Sequence, residues 1–184
     1  HKKKIYHRNI NILFIGRDFI RKGGDIVLKV FLKLSKDFEN INLFYIGPIP
    51  DNIKKIVRNH KNIYQYDKID DNDLYNKIMP LSDIAFLPTR YDAYALTIIE
   101  SMSYGIPVVA SDINSINETI THGNNGFVGT YEDDYEKYLS ILISEEKTRK
   151  SFSENAIQLI KEKHDPEMIG KKLMRVYENV ISGN

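Results

Sequence analysis

Cysteine is absent from this chain of 184 residues. This absence excludes a disulfide-stabilised scaffold, a thiolate metal site and a thiol nucleophile. No apolar run approaches the roughly 20 residues that span a bilayer, and the basic start His1–Arg8 lacks the apolar stretch of a secretion signal. The net charge is only +1, so no global field favours nucleic acid or an anionic membrane. A cytoplasmic setting is therefore predicted.

The length and composition predict one domain over residues 1–184. With 42% apolar and 28% charged residues, the chain has the balance of an ordinary globular protein with a sizeable core. Because the sequence begins without Met, we interpret residues 1–9 as a linker from a missing N-terminal domain. The basic residues of this linker are expected to be solvated, with a membrane surface or a partner as the alternative.

Short apolar runs alternate with longer stretches of helical periodicity. The runs predict strands at 11–15, 41–46, 62–66, 84–87, 108–110 and 126–128, and from Glu132 onward the pattern is helical only. Such alternation implies βαβ units with right-handed crossovers. The predicted fold class is α/β, a Rossmann-like doubly wound parallel sheet of about six strands with helices on both faces and a helical C-terminal tail. Ligands bind beyond the carboxyl ends of the strands in such sheets.

The loop after the first predicted strand, GRDFIRKGG (residues 16–24), combines glycines with cations. It opens a helix, where unpaired N–H groups and the dipole favour an anion. Gly16 and Gly23 allow the backbone to approach a ligand closely. Arg17 offers a planar fork for phosphate oxygens and Lys22 a mobile point charge. The loop is therefore either a diphosphate site or a solvated basic loop. The absence of GxGxxG disfavours a nicotinamide enzyme.

Two acids eight residues apart, Asp92 and Glu100, follow the fourth predicted strand. A helix starting near Tyr94 would place Asp92 just before its N-terminus and Glu100 inside it. Helix amides suit a sugar phosphate and carboxylates suit sugar hydroxyls. The alternatives are an N-cap for Asp92 and an exposed helix charge for Glu100. The strongly apolar stretch around Glu100 favours a place in a pocket for it.

Three ordered motifs, GRDFIRKGG, PTRYDAYALTIIESMSYGIPVVASD and NETITHGNNGFVG, resemble the signature run of family-4 (group 1) glycosyltransferases. More specifically, they are similar to the C-terminal, nucleotide-sugar-binding domain of that two-domain GT-B fold. The resemblance runs from about residue 11 to residue 128, and the helical tail to residue 177 fits it as well. The order and the separations of the motifs make this signal more specific than any one of them.

The resemblance implies a role for each matching residue. Arg17 and Lys22 would bind the donor diphosphate, Asp92 would lie by the transferred sugar, and Glu100 would hydrogen-bond the ribose; these four form the implied catalytic set. The implied donor-binding set further contains Gly16, Gly23, Ala93, Tyr94, Ala95 and Leu96.

The activity implied is that of a retaining hexosyltransferase that uses a nucleoside-diphosphate sugar and needs neither a cofactor nor a metal. The acceptor would be a polysaccharide, a lipid or another glycan held by the missing N-terminal domain, without which the isolated domain is expected to be inactive. Nucleic acid is not an expected partner. Peripheral association with the inner face of the membrane is the alternative to a freely cytoplasmic protein.

The sequence departs from the family pattern near the sugar. Asp92 stands where the family usually has Glu, and it is one methylene shorter. Ala93 and Ala95 replace glycines that the family typically has, which narrows backbone freedom and occupies space. Asp67 stands where glycine is common near the nucleotide base. These departures support an alternative reading, a non-catalytic nucleotide-sugar-binding or scaffold subunit with a degenerate acid motif.

No catalytic role is predicted for the remaining polar motifs. The DxD at 71–73 opens a predicted helix, so capping is favoured over metal binding. His122 lies in a turn-rich loop, where a structural role is favoured over contact with the donor. Ser111 and Asp112 follow the fifth predicted strand and are candidates to line the cleft, without the signature of a hydrolase.

Overall fold

The computed structural model describes residues 9–94 and 96–182, without the side chains of 114 and 115. Residues 1–8 lie outside the described part, so the linker interpretation of residues 1–9 stays a prediction. The same holds for Ala95 as a donor-binding residue.

A sheet of six parallel strands forms the centre of the domain. The strands are β1 (Ile10–Ile15), β2 (Ile41–Ile46), β3 (Ile63–Tyr66), β4 (Ile84–Leu87), β5 (Val108–Ser111) and β6 (Gly126–Gly129). Their order in the sheet is β3-β2-β1-β4-β5-β6. The predicted strands are confirmed, each to within one residue at either end. Central strands such as β4 and β5 are buried along their whole length, as expected when helices cover both faces.

Nine α-helical segments surround the sheet in the described residues. They are α1 (Gly24–Asp37), α2 (Asp51–Arg58), α3 (Asp71–Asp73), α4 (Met79–Leu81), α5 (Leu96–Ser103), α6 (Asn114–Asn117), α7 (Glu132–Ser144), α8 (Glu146–Lys163) and α9 (Pro166–Ser182), with a π-helical turn (Leu74–Ile78) between α3 and α4. The crossovers β1→β2 and β4→β5 run in opposite directions across the sheet, so right-handed connections put their helices on opposite faces. Accordingly, α1 packs with α7 and α5 packs with α8.

A buried asparagine fixes β1 against its neighbours. The Asn11 N–H donates to Asp83 Oδ2 (2.9 Å), its Nδ2 donates to the Leu81 carbonyl oxygen (2.8 Å), and its Oδ1 accepts from Asn42 Nδ2 (2.9 Å). The buried polar side chain is thus paired, as it must be to avoid a desolvation penalty. These contacts hold the start of β4 beside β1 although the two strands are separated by two other strands in the chain.

The last helix, α9, has no buried side chain. Its exposed apolar residues recur at helical spacing and include Ile169, Leu173, Val176, Tyr177 and Val180. Over residues 9–94 and 96–182, none of the helices has both the length and the hydropathy to cross a bilayer.

Candidate functional site

The sheet reverses its winding between β1 and β4, which are neighbours in space. The loop after β1 leads to α1 on one face, and the loop after β4 leads to α5 on the other. A crevice therefore opens between the two loops at the carboxyl edge, the place where open α/β sheets bind ligands. The two loops singled out from the sequence are the ones that border it.

Gly23 brings the first loop into contact with the second. Its φ of 75° lies in the left-handed region, and a Cβ built there would stand 2.0 Å from the Pro88 carbonyl oxygen. Any other residue would therefore strain the backbone and push the two loops apart. Gly16 is also crowded, since a Cβ there would come within 2.7 Å of Lys22 Cβ.

The first amides of α1 already have partners within the chain. The Gly24 N–H donates to the Phe19 carbonyl oxygen at 2.7 Å. The N–H groups of Asp25 and Ile26 help to hold the pKa of the Asp25 carboxyl below its usual value. The capacity of this loop to bind an anion therefore rests on the side chains of Arg17 and Lys22 more than on these amides.

Arg90 joins the two loops through an ion pair that sequence reasoning missed. Its guanidinium makes two bonds of 2.7 Å to the two oxygens of Asp25 and also donates to the Ile20 carbonyl oxygen, while its N–H donates to the Arg21 carbonyl oxygen at 2.8 Å. Burial alone would raise the pKa of Asp25, but the hydrogen bonds and charge of Arg90 outweigh it and hold that pKa below its usual value.

Lys22 and Asp92, two of the four implied catalytic residues, are in direct contact. The Lys22 ammonium donates to Asp92 Oδ2, and only 22% and 14% of the two side chains are exposed. With Ile15, Leu87 and Ile98 they line a small cavity between the two strand ends. The structure thus places a cation and an acid from distant parts of the chain at one point of the crevice. Arg17 lies exposed at the start of the first loop.

Glu100, the second acid, is partly buried on α5, inside the helix as predicted. Its Oε1 accepts a hydrogen bond of 3.2 Å from the hydroxyl of Tyr75, another residue that sequence reasoning missed. The helix begins at Leu96, later than the predicted start near Tyr94. Tyr94 and Leu96 are 48% and 60% exposed, and Ala93 is exposed too.

The remaining candidates occupy other positions. Ser111 lies beneath the crevice, where its hydroxyl donates to the Thr89 carbonyl oxygen at 2.6 Å, and Asp112 is exposed and accepts from Asn117. His122 lies at the amino end of β6, the opposite edge of the sheet, and its Nδ1 accepts from the Val128 N–H.

The prediction that the DxD itself caps the helix is wrong, because its three residues form α3 and the cap lies before them. The capping residue is Asp70, one position before the DxD, and its Oδ1 accepts from the Asp73 N–H at 2.9 Å. Asp67, which follows β3, is exposed and accepts from Gln65. Across the described residues, three or more His, Asp or Glu side chains do not gather into a group that could hold a metal ion.

Comparison with known proteins identifies the family. Residues 1–159 match the family described as glycosyl transferases group 1. The chain belongs to this family. Over 133 residues it is 30% identical to an uncharacterized 41.2 kDa protein in the cps region of Klebsiella pneumoniae. The matched region makes up 72% of this chain and 36% of that protein.

Solved structures agree on the fold. The C-terminal domain of a group 1 family glycosyl transferase (LpcC) from Francisella tularensis superposes with a TM-score of 0.76 at 20% identity, over 85% of this chain and 87% of that one. A mutant of TarM from S. aureus, solved with fondaparinux, alpha-GlcNAc-glycerol and UDP, gives a TM-score of 0.84 at 20% identity, over 96% of this chain and 37% of that one. The fold is the Rossmann-like C-terminal half of a GT-B glycosyltransferase. The chain spans 36%, 48% and 35% of the length of three curated relatives that it matches.

Proposed function

We propose that this glycosyltransferase domain binds the donor, a nucleoside-diphosphate sugar, in the crevice between the loops after β1 and β4. The observation that carries the proposal is the contact of Lys22 with Asp92, residues 70 positions apart in the chain. Arg17 and Lys22 bind the diphosphate, Glu100 binds the ribose, and Asp92 lies by the transferred sugar.

Charge governs how the donor enters this site. A diphosphate carries more negative charge and more acceptor oxygens than one carboxylate, so Lys22 exchanges its bond to Asp92 for bonds to phosphate. The exchange frees Asp92 to accept hydrogen bonds from sugar hydroxyls. Arg17 and Lys22 then stabilise the charge that develops on the departing nucleoside diphosphate, so that transfer proceeds without a metal ion.

The transfer proposed is a retaining hexosyl transfer to a polysaccharide, a lipid or another glycan. Two named proteins support this setting. UDP is present in the TarM structure, and a Staphylococcus aureus relative, 21% identical over 188 residues, is a capsular polysaccharide biosynthesis glycosyltransferase. The remainder of the protein binds the acceptor, at the inner face of the membrane when the acceptor is lipid-linked. Closure of this domain and that remainder around the two substrates excludes water from the reaction.

Calorimetric titration of UDP-, GDP- and ADP-sugars into the domain tests donor binding. We expect one nucleotide class to bind, and Arg17→Ala and Lys22→Ala each to weaken it roughly 10- to 100-fold, since a hydrogen bond to a charged group contributes about 1.5–3 kcal/mol. Arg58→Ala and Lys36→Ala are matched controls at exposed positions of α2 and α1 and should leave affinity unchanged. Absence of binding for all three classes would contradict the proposal.

A second candidate is a nucleotide-sugar-binding subunit without transferase activity. The observation that favours it is the same ion pair, because Asp92 is both shorter than the usual Glu and bonded to Lys22. The two candidates share donor binding and differ in whether the complete protein transfers or hydrolyses the sugar.

A further inference from the structure

The π-helical turn between α3 and α4 has a local cause. In this turn the Met79 N–H donates to the carbonyl oxygen of Leu74, five residues earlier. Pro80 follows and has no N–H to donate to the Tyr75 carbonyl oxygen, the next acceptor in the same pattern. Widened turns of this kind often lie at functional sites, because they redirect side chains and backbone groups.

The Tyr75 carbonyl oxygen instead accepts a hydrogen bond of 2.9 Å from the hydroxyl of Tyr104. The rings of the two tyrosines stack with centroids 6.5 Å apart and planes 22° from parallel. Tyr104 follows the last residue of α5 and lies four positions after Glu100. Residues four apart lie on the same face of a helix. The Tyr75 turn therefore faces the side of α5 that carries Glu100.

Tyr75 makes a second bond to the same face. Its own hydroxyl donates to Glu100 Oε1 at 3.2 Å, so Tyr75 accepts a hydrogen bond from Tyr104 at its backbone and donates one to α5 from its side chain. Burial raises the pKa of the Tyr75 phenol, and the negative charge of Glu100 and its hydrogen bond raise it further. The phenol thus stays protonated, and remains a donor, over the whole neutral range.

We propose that Tyr75 is a positioning residue that holds the Glu100 carboxylate in the orientation in which it accepts hydrogen bonds from the ribose of a nucleoside diphosphate. This inference rests on the proposed function. A free glutamate side chain has several rotamers, and fixing it before the ligand arrives removes an entropic cost from binding. Tyr75 binds one carboxylate oxygen and leaves the other to the ribose hydroxyls.

The test compares ribose with a sugar that lacks its hydroxyls. UDP, GDP and ADP and their 2′,3′-dideoxy forms are titrated into the wild-type chain and into Tyr75→Phe, which keeps the ring and its stacking. We expect Tyr75→Phe to weaken the ribonucleotide about five- to tenfold, less than the loss of a direct hydrogen bond to a charged group because Tyr75 acts only through the orientation of Glu100, and the dideoxy form less than about twofold. In a Glu100→Gln background the same change should have no further effect.

Tyr138→Phe is the matched control, since Tyr138 is also partly buried but stacks on Phe127 away from the crevice. It should leave both affinities unchanged. Equal weakening of the ribo and dideoxy forms by Tyr75→Phe would overturn the inference while leaving the proposed function intact. Wild-type binding that does not distinguish the two forms would overturn both the inference and the role of Glu100 at the ribose, while donor binding through Arg17 and Lys22 would stand.

A second measurement is independent of any nucleotide. With ¹³Cζ-labelled tyrosine, the NMR signal of Tyr75 is assigned from its loss in Tyr75→Phe, and its titration is followed in wild type and in Glu100→Gln. We expect Glu100→Gln to lower the pKa of Tyr75, because it removes the negative charge. An unchanged Tyr75 pKa would overturn the contact, and with it the inference. Failure of wild type to bind any of the diphosphates would contradict the proposed function instead, and the phenol titration would still decide whether Tyr75 holds Glu100.

Discussion

Gly23 shows at the scale of one residue how the crevice is built. Its left-handed backbone closes the first loop, and its missing side chain leaves room for the Pro88 carbonyl oxygen. The sequence indicated that glycines in this loop allow close approach, but the partner in that approach is the protein's own second loop. Gly123 has almost the same backbone angle, with φ of 76°, and a Cβ there would meet nothing within 4 Å.

These two glycines separate the conformational cost of alanine from its steric cost. Gly123→Ala should lower the free energy of unfolding by about 1–2 kcal/mol, for the left-handed conformation alone. Gly23→Ala should lower it by that amount plus about 1–3 kcal/mol of overpacking against Pro88, and should also weaken donor binding. Urea denaturation of the two variants measures the difference. Equal losses would show that the contact with Pro88 is relaxed at no cost.

At the scale of the elements, the two loops act as one unit. The pair formed by Asp25 and Arg90 connects the start of α1 to the loop before α5, and the backbone of Arg90 is bonded to Arg21. The two side chains are 33% and 43% exposed, so solvent screens much of their attraction. The pair therefore contributes more to the alignment of the loops than to the stability of the fold.

This pair predicts how stability depends on pH. Because the pKa of Asp25 is lowered in the folded state, its contribution is present above the pKa of an unfolded aspartate, about 3.9, and is lost as pH falls through the folded value. Asp25→Asn should therefore cost about 0.5–1 kcal/mol at pH 7 and much less near pH 3. Urea denaturation at both pH values measures this, with Asp37→Asn at the far end of α1 as the control. An Asp25→Asn cost in unfolding free energy that is the same at pH 7 and near pH 3 would contradict the lowered pKa of Asp25.

The chain as a unit holds the proposed donor site, and the acceptor site is expected in the remainder of the protein. The chain spans 36% of the Klebsiella pneumoniae relative and 48% of the Methanocaldococcus jannaschii relative, whereas it matches 87% of the Francisella tularensis C-terminal domain. A crevice at one edge of one sheet can bind the donor, but transfer needs an acceptor placed within reach of the anomeric carbon.

We therefore expect the 184-residue chain to bind its donor without transferring the sugar. The measurement is a transfer and hydrolysis assay with the nucleotide-sugar identified by calorimetry. Robust transfer by these residues alone would contradict this expectation. In the complete protein, Asp92→Glu restores the usual acid; higher activity in that variant would indicate an enzyme weakened at this position, and binding without any turnover would favour the non-catalytic subunit.

The strands, the α/β class and the two charged loops could be predicted from the sequence, because strand and helix periodicity and glycine-rich turns are local properties. The family could be predicted as well, from the order and separation of its motifs. The position of β4 beside β1, the bond between Lys22 and Asp92, and the bonds of Arg90 to Asp25 and of Tyr75 to Glu100 emerge only in the folded chain. These contacts join residues far apart in the chain, and they form only when sheet order and helix packing bring the carboxyl ends of distant strands together.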